Sequence, residues 1–122
     1  MKVLTKYDTT EPIQVGDLIS YTRFGNSVTR SVINHFEDTN NVVGVCVKID
    51  DDNIYIENQG MVDVNVTGIV CIGDKLQPSN IPGKAKAIKY NQDETHYKMR
   101  SIGKCICLYN SYDTIKALLD IE

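Results

Sequence analysis

The sequence predicts an all-β fold, a small barrel or sandwich of short antiparallel strands, and three observations predict it. Apolar residues recur with a period of two. In "MVDVNVTG", Val62, Val64 and Val66 alternate with Asp63, Asn65 and Thr67, the pattern of a half-buried strand with its valines inward. Gly, Asn, Asp and Pro interrupt the apolar runs at strand-length intervals, as in a barrel or sandwich. Finally, three short segments occur twice, in the same order.

Taken in order, residues 1–11, "MKVLTKYDTTE", are polar and end before Pro12, and are read as an N-terminal arm that orders only against a partner. Residues 12–122 are read as a single β-domain, because a chain of 122 residues can bury one core but not two independent ones. "DLISYTRF" and "NSVTRSVI" have strand length, although "VTRSVINHFED" also admits a short helix. "VCVKI" and "IYIEN" flank residues 50–53 as an antiparallel hairpin with an acidic tip. "GKAKAIKY", "SIGKCICLY" and "TIKALLDI" complete the strands. "DTIKALLDIE" holds good helix formers behind Asp113 as an N-cap, so a helix stays open there.

The repeat lies in these elements. "VGDLIS" at 15–20 recurs as "IGDKLQ" at 72–77, "FGNSVTRSV" at 24–32 is shadowed by "PGKAKAIKY" at 82–90, and "VVGVCVKI" at 42–49 by "SIGKCICLY" at 101–109. Their glycines, Gly16 and Gly73, Gly25 and Gly83, Gly44 and Gly103, lie 57, 58 and 59 residues apart. Two copies of one β-unit, about 13–56 and 70–119, follow, joined through the strand at 61–67 and predicted to share one strand order. The structural turns are Gly16-Asp17 and Gly73-Asp74, each supplying a positive φ and an Asx-type turn, and Pro82-Gly83, which presets a type II turn. A Gly-Asp corner used twice reads as architecture rather than as a ligand loop.

Composition narrows the function. With 42% apolar and 24% charged residues the chain is ordinary for a folded protein. A net charge of −3, with lysines scattered among acids, offers no footprint for nucleic acid. No apolar run approaches the roughly 18 residues that cross a bilayer, and the first residues lack the apolar core of a secretory signal, so neither membrane contact nor export is expected and synthesis is placed in the cytosol.

No catalytic constellation, cofactor site or metal site is predicted. His35 and His96 are the only histidines, and no G-x-S-x-G elbow accompanies a serine or cysteine. Glycine-rich phosphate motifs are absent. Asp50, Asp51, Asp52 and Glu57 lack the alternating spacing of a calcium loop. Cys46, Cys71, Cys105 and Cys107 sit in apolar runs, where free buried thiols are expected. A zinc site stays open as a minor alternative, with Cys105 and Cys107 sharing a strand face and Cys46 and Cys71 completing it. Seven tyrosines against two phenylalanines suit a protein interface or a sugar-binding face as well as a core rim; Tyr7, Tyr21, Tyr90 and Tyr97 are the candidate interface residues.

The string "VVGVCVKI…IYIENQGMVDVNVTGIVCIGDKLQPSNIPGKAKA…RSIGKCICLYN…IKALL" resembles a β-rich module of bacteriophage virion proteins, found in small capsid-decoration proteins and in tail spikes and fibres. The likeness covers about residues 40–119, and 13–33 more faintly; Cys105 and the insertion "KYNQDETHYK" depart from the usual pattern. It implies a non-enzymatic virion protein, foremost one that decorates or stabilises the capsid, with copies of itself, a trimer among the forms implied, and the major capsid protein as partners. The alternative it implies is a tail, baseplate or fibre component, an adaptor or receptor-binding module. A hydrolase or autoprocessing domain would instead need Ser20, His35 or His96 to converge in one cleft.

Overall fold

A computed structural model of the chain describes residues 2–5, 12–21, 28–30, 42–88, 101–108 and 113–121. Ten strands lie among them: β1 (Lys2–Thr5), β2 (Leu18–Tyr21), β3 (Val28–Arg30), β4 (Val42–Ile49), β5 (Asn53–Glu57), β6 (Gln59–Asn65), β7 (Lys75–Pro78), β8 (Ala85–Ala87), β9 (Gly103–Leu108) and β10 (Thr114–Asp120). The fold is all-β. The strands form two five-stranded antiparallel sheets, in the orders β1-β5-β4-β2-β3 and β6-β10-β9-β7-β8.

Strand for strand these orders are the same, and so is the register. Ile19 opposes Arg30 in the first sheet and Leu76 opposes Ala87 in the second, each one position into the repeated "GD" strand. Leu18 opposes Val45 as Lys75 opposes Lys104. Cys46 opposes Ile56 as Cys105 opposes Ala117, and a bulge at Val47 is matched by one at Ile106. Gly44 and Gly103 are needed for the same reason: a Cβ on either would stand 2.4 Å from a carbonyl oxygen of the adjoining strand, that of Glu57 or of Leu118. The duplicated β-unit read from the sequence is therefore present in the topology, with wider bounds than 13–56 and 70–119: β1 belongs to the first unit, and β6, expected as the strand joining the units, is its counterpart in the second, because β6 pairs with β10 as β1 pairs with β5.

Several expectations are corrected. Residues 2–5 of the expected arm are a strand, because alternation in "KVLT" lets β1 pair with β5 from Lys2↔Ile56 to Thr5↔Asn53; residues 6–11 lie outside the described residues. Residues 114–120 are strand rather than helix: two flanking strands offer a full ladder, and helix propensity is a weak prior against that. Val28–Arg30 of the other ambiguous segment is also strand. β9 carries a bulge at Ile106, between the pairs Ala117↔Cys105 and Lys116↔Cys107.

The second sheet curls until the end of β6 reaches β8, where Val66 bridges Ala85 and the Thr67 N–H donates to the Ala85 carbonyl at 2.9 Å. Its interior holds Val62, Val64, Val66, Leu76, Ala85, Cys105, Ile115 and Ala117, and into the same cluster the first sheet inserts Leu18, Val42 and Val45. Their chain neighbours Ile19 and Cys46 point to the opposite face and pack with Ile54 and Ile56 in a second cluster. One sheet is thus buried on both faces. The other buries its inner face and, on the outer face, Gln77 of β7, while exposing Met61, Asp63, Lys75, Lys104, Leu118 and Asp120 outward.

Candidate functional site: the paired corners and the junction between sheets

The two Gly-Asp corners are superposable in their bonding. In the first, Asp17 Oδ2 accepts the Gln14 N–H at 2.8 Å, the Asp17 N–H donates to the Gln14 carbonyl at 3.1 Å, and the Gly16 N–H donates to the Cys46 carbonyl at 2.7 Å. In the second, Asp74 Oδ2 accepts the Cys71 N–H at 2.8 Å, the Asp74 N–H donates to the Cys71 carbonyl at 3.0 Å, and the Gly73 N–H donates to the Cys105 carbonyl at 2.8 Å. Gly16 and Gly73 take φ of +92° and +94°, the left-handed conformation that glycine adopts without a Cβ clash. Pro82-Gly83 forms the expected turn: the Lys84 N–H donates to the Ile81 carbonyl at 3.1 Å and Gly83 has φ +80°. Buried Ser79 braces it by donating its hydroxyl to the Lys84 carbonyl at 2.7 Å and accepting the Ile81 N–H at 3.1 Å.

What surrounds the corners differs. Asn65, at the end of β6, clasps the first: its N–H donates to the Gly16 carbonyl at 2.9 Å, and its Nδ2 donates to the Val15 carbonyl at 3.1 Å and to Asp17 Oδ1 at 3.3 Å. Thr114 completes the clasp by donating its hydroxyl to Asn65 Oδ1 at 3.0 Å, and the Leu18 N–H donates to the Gly83 carbonyl at 2.8 Å. Around the second corner a Cβ built on Gly73 meets nothing within 4 Å, and Ile69 and Ile72 are 77% and 65% exposed. Alternation marked Asn65 only as an outward polar residue, so its role was invisible in the sequence. The exposed isoleucines were equally invisible, since they look like core.

A shallow cleft of about 220 Å³ opens where the sheets meet, lined by Val15, Val47, Met61, Val62, Asp63 and Lys116. The charged residues of its lining are Asp63 and Lys116, an exposed ion pair 3.9 Å apart. The acidic hairpin tip is organised from within. Asp50 Oδ1 accepts the N–H groups of Asp52 and Asn53 at 3.2 and 2.9 Å, and Oδ2 accepts the Tyr55 hydroxyl at 2.9 Å. Tyr55, then the Asn53 N–H, hold the Asp50 carboxyl below its usual range, and the same bond raises the Tyr55 phenol.

Cys46 and Cys105 are buried free thiols at equivalent positions, and desolvation pushes Cys46 up to about 11, which leaves it an unreactive core residue at neutral pH. Cys71 corrects the expectation of burial: it is exposed, because the corner turns it away from both sheets. Tyr21 is 40% exposed, accepts a hydrogen bond from Lys2 Nζ and has that ammonium 4.7 Å from its ring centre. Tyr7, Tyr90, Tyr97, His35 and His96 lie outside the described residues. Ser20 is buried in β2 at 6% exposure, opposite Thr29. Among the described residues no group of three His, Cys, Asp or Glu side chains could hold a metal, and no helix is long and apolar enough to cross a membrane.

Compared with known proteins, the chain matches no family model, no curated protein and no solved structure.

Proposed function

We propose that this chain is a non-enzymatic structural protein of a bacteriophage virion that decorates or stabilises the capsid by binding copies of itself and the capsid lattice. The observation that supports this best is the correspondence between the motif likeness and the fold. The segments that carry the resemblance, from "VVGVCVKI" through "IGDKL" and "PGKAKA" to "TIKALL", are the strands β4, β7, β8 and β10 and their corners, so the likeness lies in a scaffold. A scaffold of two fused β-units, stiffened by a core common to both sheets, presents edges and an exposed outer face for contact with other proteins. On this reading the chain acts in the virion after synthesis in the host cytoplasm, with no cofactor and no role for nucleic acid or membrane.

Quantitative mass spectrometry of purified particles, with and without tails, tests the proposal. Hundreds of copies per particle, retained in tailless heads, are expected. A handful of copies lost with the tails would replace decoration by the tail or fibre role, and absence from particles would end both.

A further inference from the structure

We infer that the outer face of β6 and β10 is the surface through which two copies of this chain join, face to face about a twofold axis that runs between these two strands. This rests on the scaffold reading, in which copies bind one another, and names the contact. The ladder itself carries the argument. Its outward rungs are Gln59↔Asp120, Met61↔Leu118 and Asp63↔Lys116. Met61 and Leu118 are 65% and 46% exposed, side by side on neighbouring strands, and Met61 continues into exposed Val15 along the cleft where the sheets meet. An isolated apolar residue on a surface needs no explanation, whereas a contiguous set flanked by charges fits a protein contact.

Charge selects both the occupant and the axis. A twofold parallel to the strands turns β10 of one copy onto β6 of the other and keeps each rung at its own level. Met61 then meets the Leu118 position of the second copy, and Asp63 meets its Lys116 position, each contact made twice. Rung by rung the face complements itself, as a contact between identical chains requires. Moved one strand further, between β10 and β9, the same axis would set Leu118 on Lys104; between β9 and β7 it would set Lys104 on Lys75, two ammonium groups in apposition. Of the three, the axis between β6 and β10 alone lays apolar on apolar and acid on base.

Asp63 and Lys116 already pair within the chain at 3.9 Å, so the contact joins two existing ion pairs into a network of four charges and leaves none of them opposite a like charge. The inner face of this sheet is taken by Leu18, Val42 and Val45 of the first sheet, so a further layer can be added only outside. Because the sheet curls until β6 reaches β8, its outer face is convex, and two such faces touch along β6 and β10 rather than across the whole sheet. An interface of that size is weak, and salt weakens its charged rungs further.

Sedimentation velocity on the full chain from micromolar to millimolar concentration tests this. An equilibrium between monomer and dimer is expected, weakened at least about tenfold by Met61→Asp or Leu118→Asp and unchanged by Ile72→Asp, at another exposed apolar position. Asp63→Lys and Lys116→Glu separate the contact from effects within the chain. Each alone sets like charges across the axis and should sediment as a monomer. An equimolar mixture of the two sets opposite charges across it and should form the mixed dimer, although the repulsion inside each chain persists. A monomer at every concentration, a dimer indifferent to Met61→Asp, or a mixture that stays monomeric would overturn the inference. So would a monomer whose binding to purified particles is lost in Met61→Asp, which would give this face to the capsid lattice. A chain abundant in virions yet monomeric would sink this interface and spare the scaffold reading; dimers of a chain absent from virions would do the opposite.

Discussion

The two sheets share one strand order, one register, one bulge and one corner, yet one is buried on both faces and the other exposes much of its outer face. The difference sits in a few equivalent positions. Leu18 and Val45 of the first sheet are fully buried against the second sheet's interior, and Lys75 and Lys104 occupy the same places on the second sheet's exposed outer face. The backbone of a β-unit therefore does not dictate which face meets solvent. Its outward-pointing side chains do, and lysine at two of them ends the stacking after two units, much as charge is used to blunt open sheet surfaces.

The largest test of that comparison is to give the first sheet the second sheet's residues. Leu18→Lys or Val45→Lys places an unpaired ammonium in the common core and should cost about 3–5 kcal/mol or abolish folding, read by urea denaturation. The reverse exchange, Lys104→Val, should change stability by no more than about 0.5 kcal/mol. Equal losses from both exchanges would mean that the outer faces are equivalent after all.

The corners give the next effect. Gly16→Ala and Gly73→Ala both force a Cβ into the left-handed region, at about 1–2 kcal/mol each. At Gly16 the Cβ would also stand 2.6 Å from Asn65 Oδ1, breaking the clasp, whereas at Gly73 it would meet nothing. Gly16→Ala should therefore be the more destabilising by about 1–2 kcal/mol in the same denaturation assay.

Titration sharpens the comparison further. Burial raises the Cys46 thiol from an ordinary 9.0 to about 11. Between those values the unfolded chain loses this proton and the folded chain keeps it. The stability that the group contributes is thus complete below about pH 9 and lost as pH rises through about 11, and Cys46→Ala should flatten that part of the pH dependence of unfolding. Smallest is the hairpin tip, which has a tyrosine where the second unit has Lys116. Tyr55→Phe removes the chief partner of the Asp50 carboxylate, and its NMR titration midpoint should move up toward the usual aspartate range. Asp50 is held low when folded, so its contribution is present above its unfolded value and fades as pH falls through the folded one; that fade should shrink in Tyr55→Phe.

Much of this was legible in the chain because its signals are local. Val62, Val64 and Val66 alternate with polar neighbours, Gly-Asp and Pro-Gly announce turns by their own backbone preferences, and the two copies of "GD" followed by a strand are visible as strings. Those features determine an all-β duplicated unit without reference to anything distant. What the tertiary structure alone decided depends on partners far along the chain. "TIKALL" is a strand because β6 and β9 flank it, residues 2–5 are ordered by β5 some fifty residues on, and Asn65 is a clasp because Gly16 arrives beside it. Equal apolarity likewise hid opposite fates: Leu18 is buried and Ile72 is exposed, because alternation tells which residues share a face but not what that face will meet.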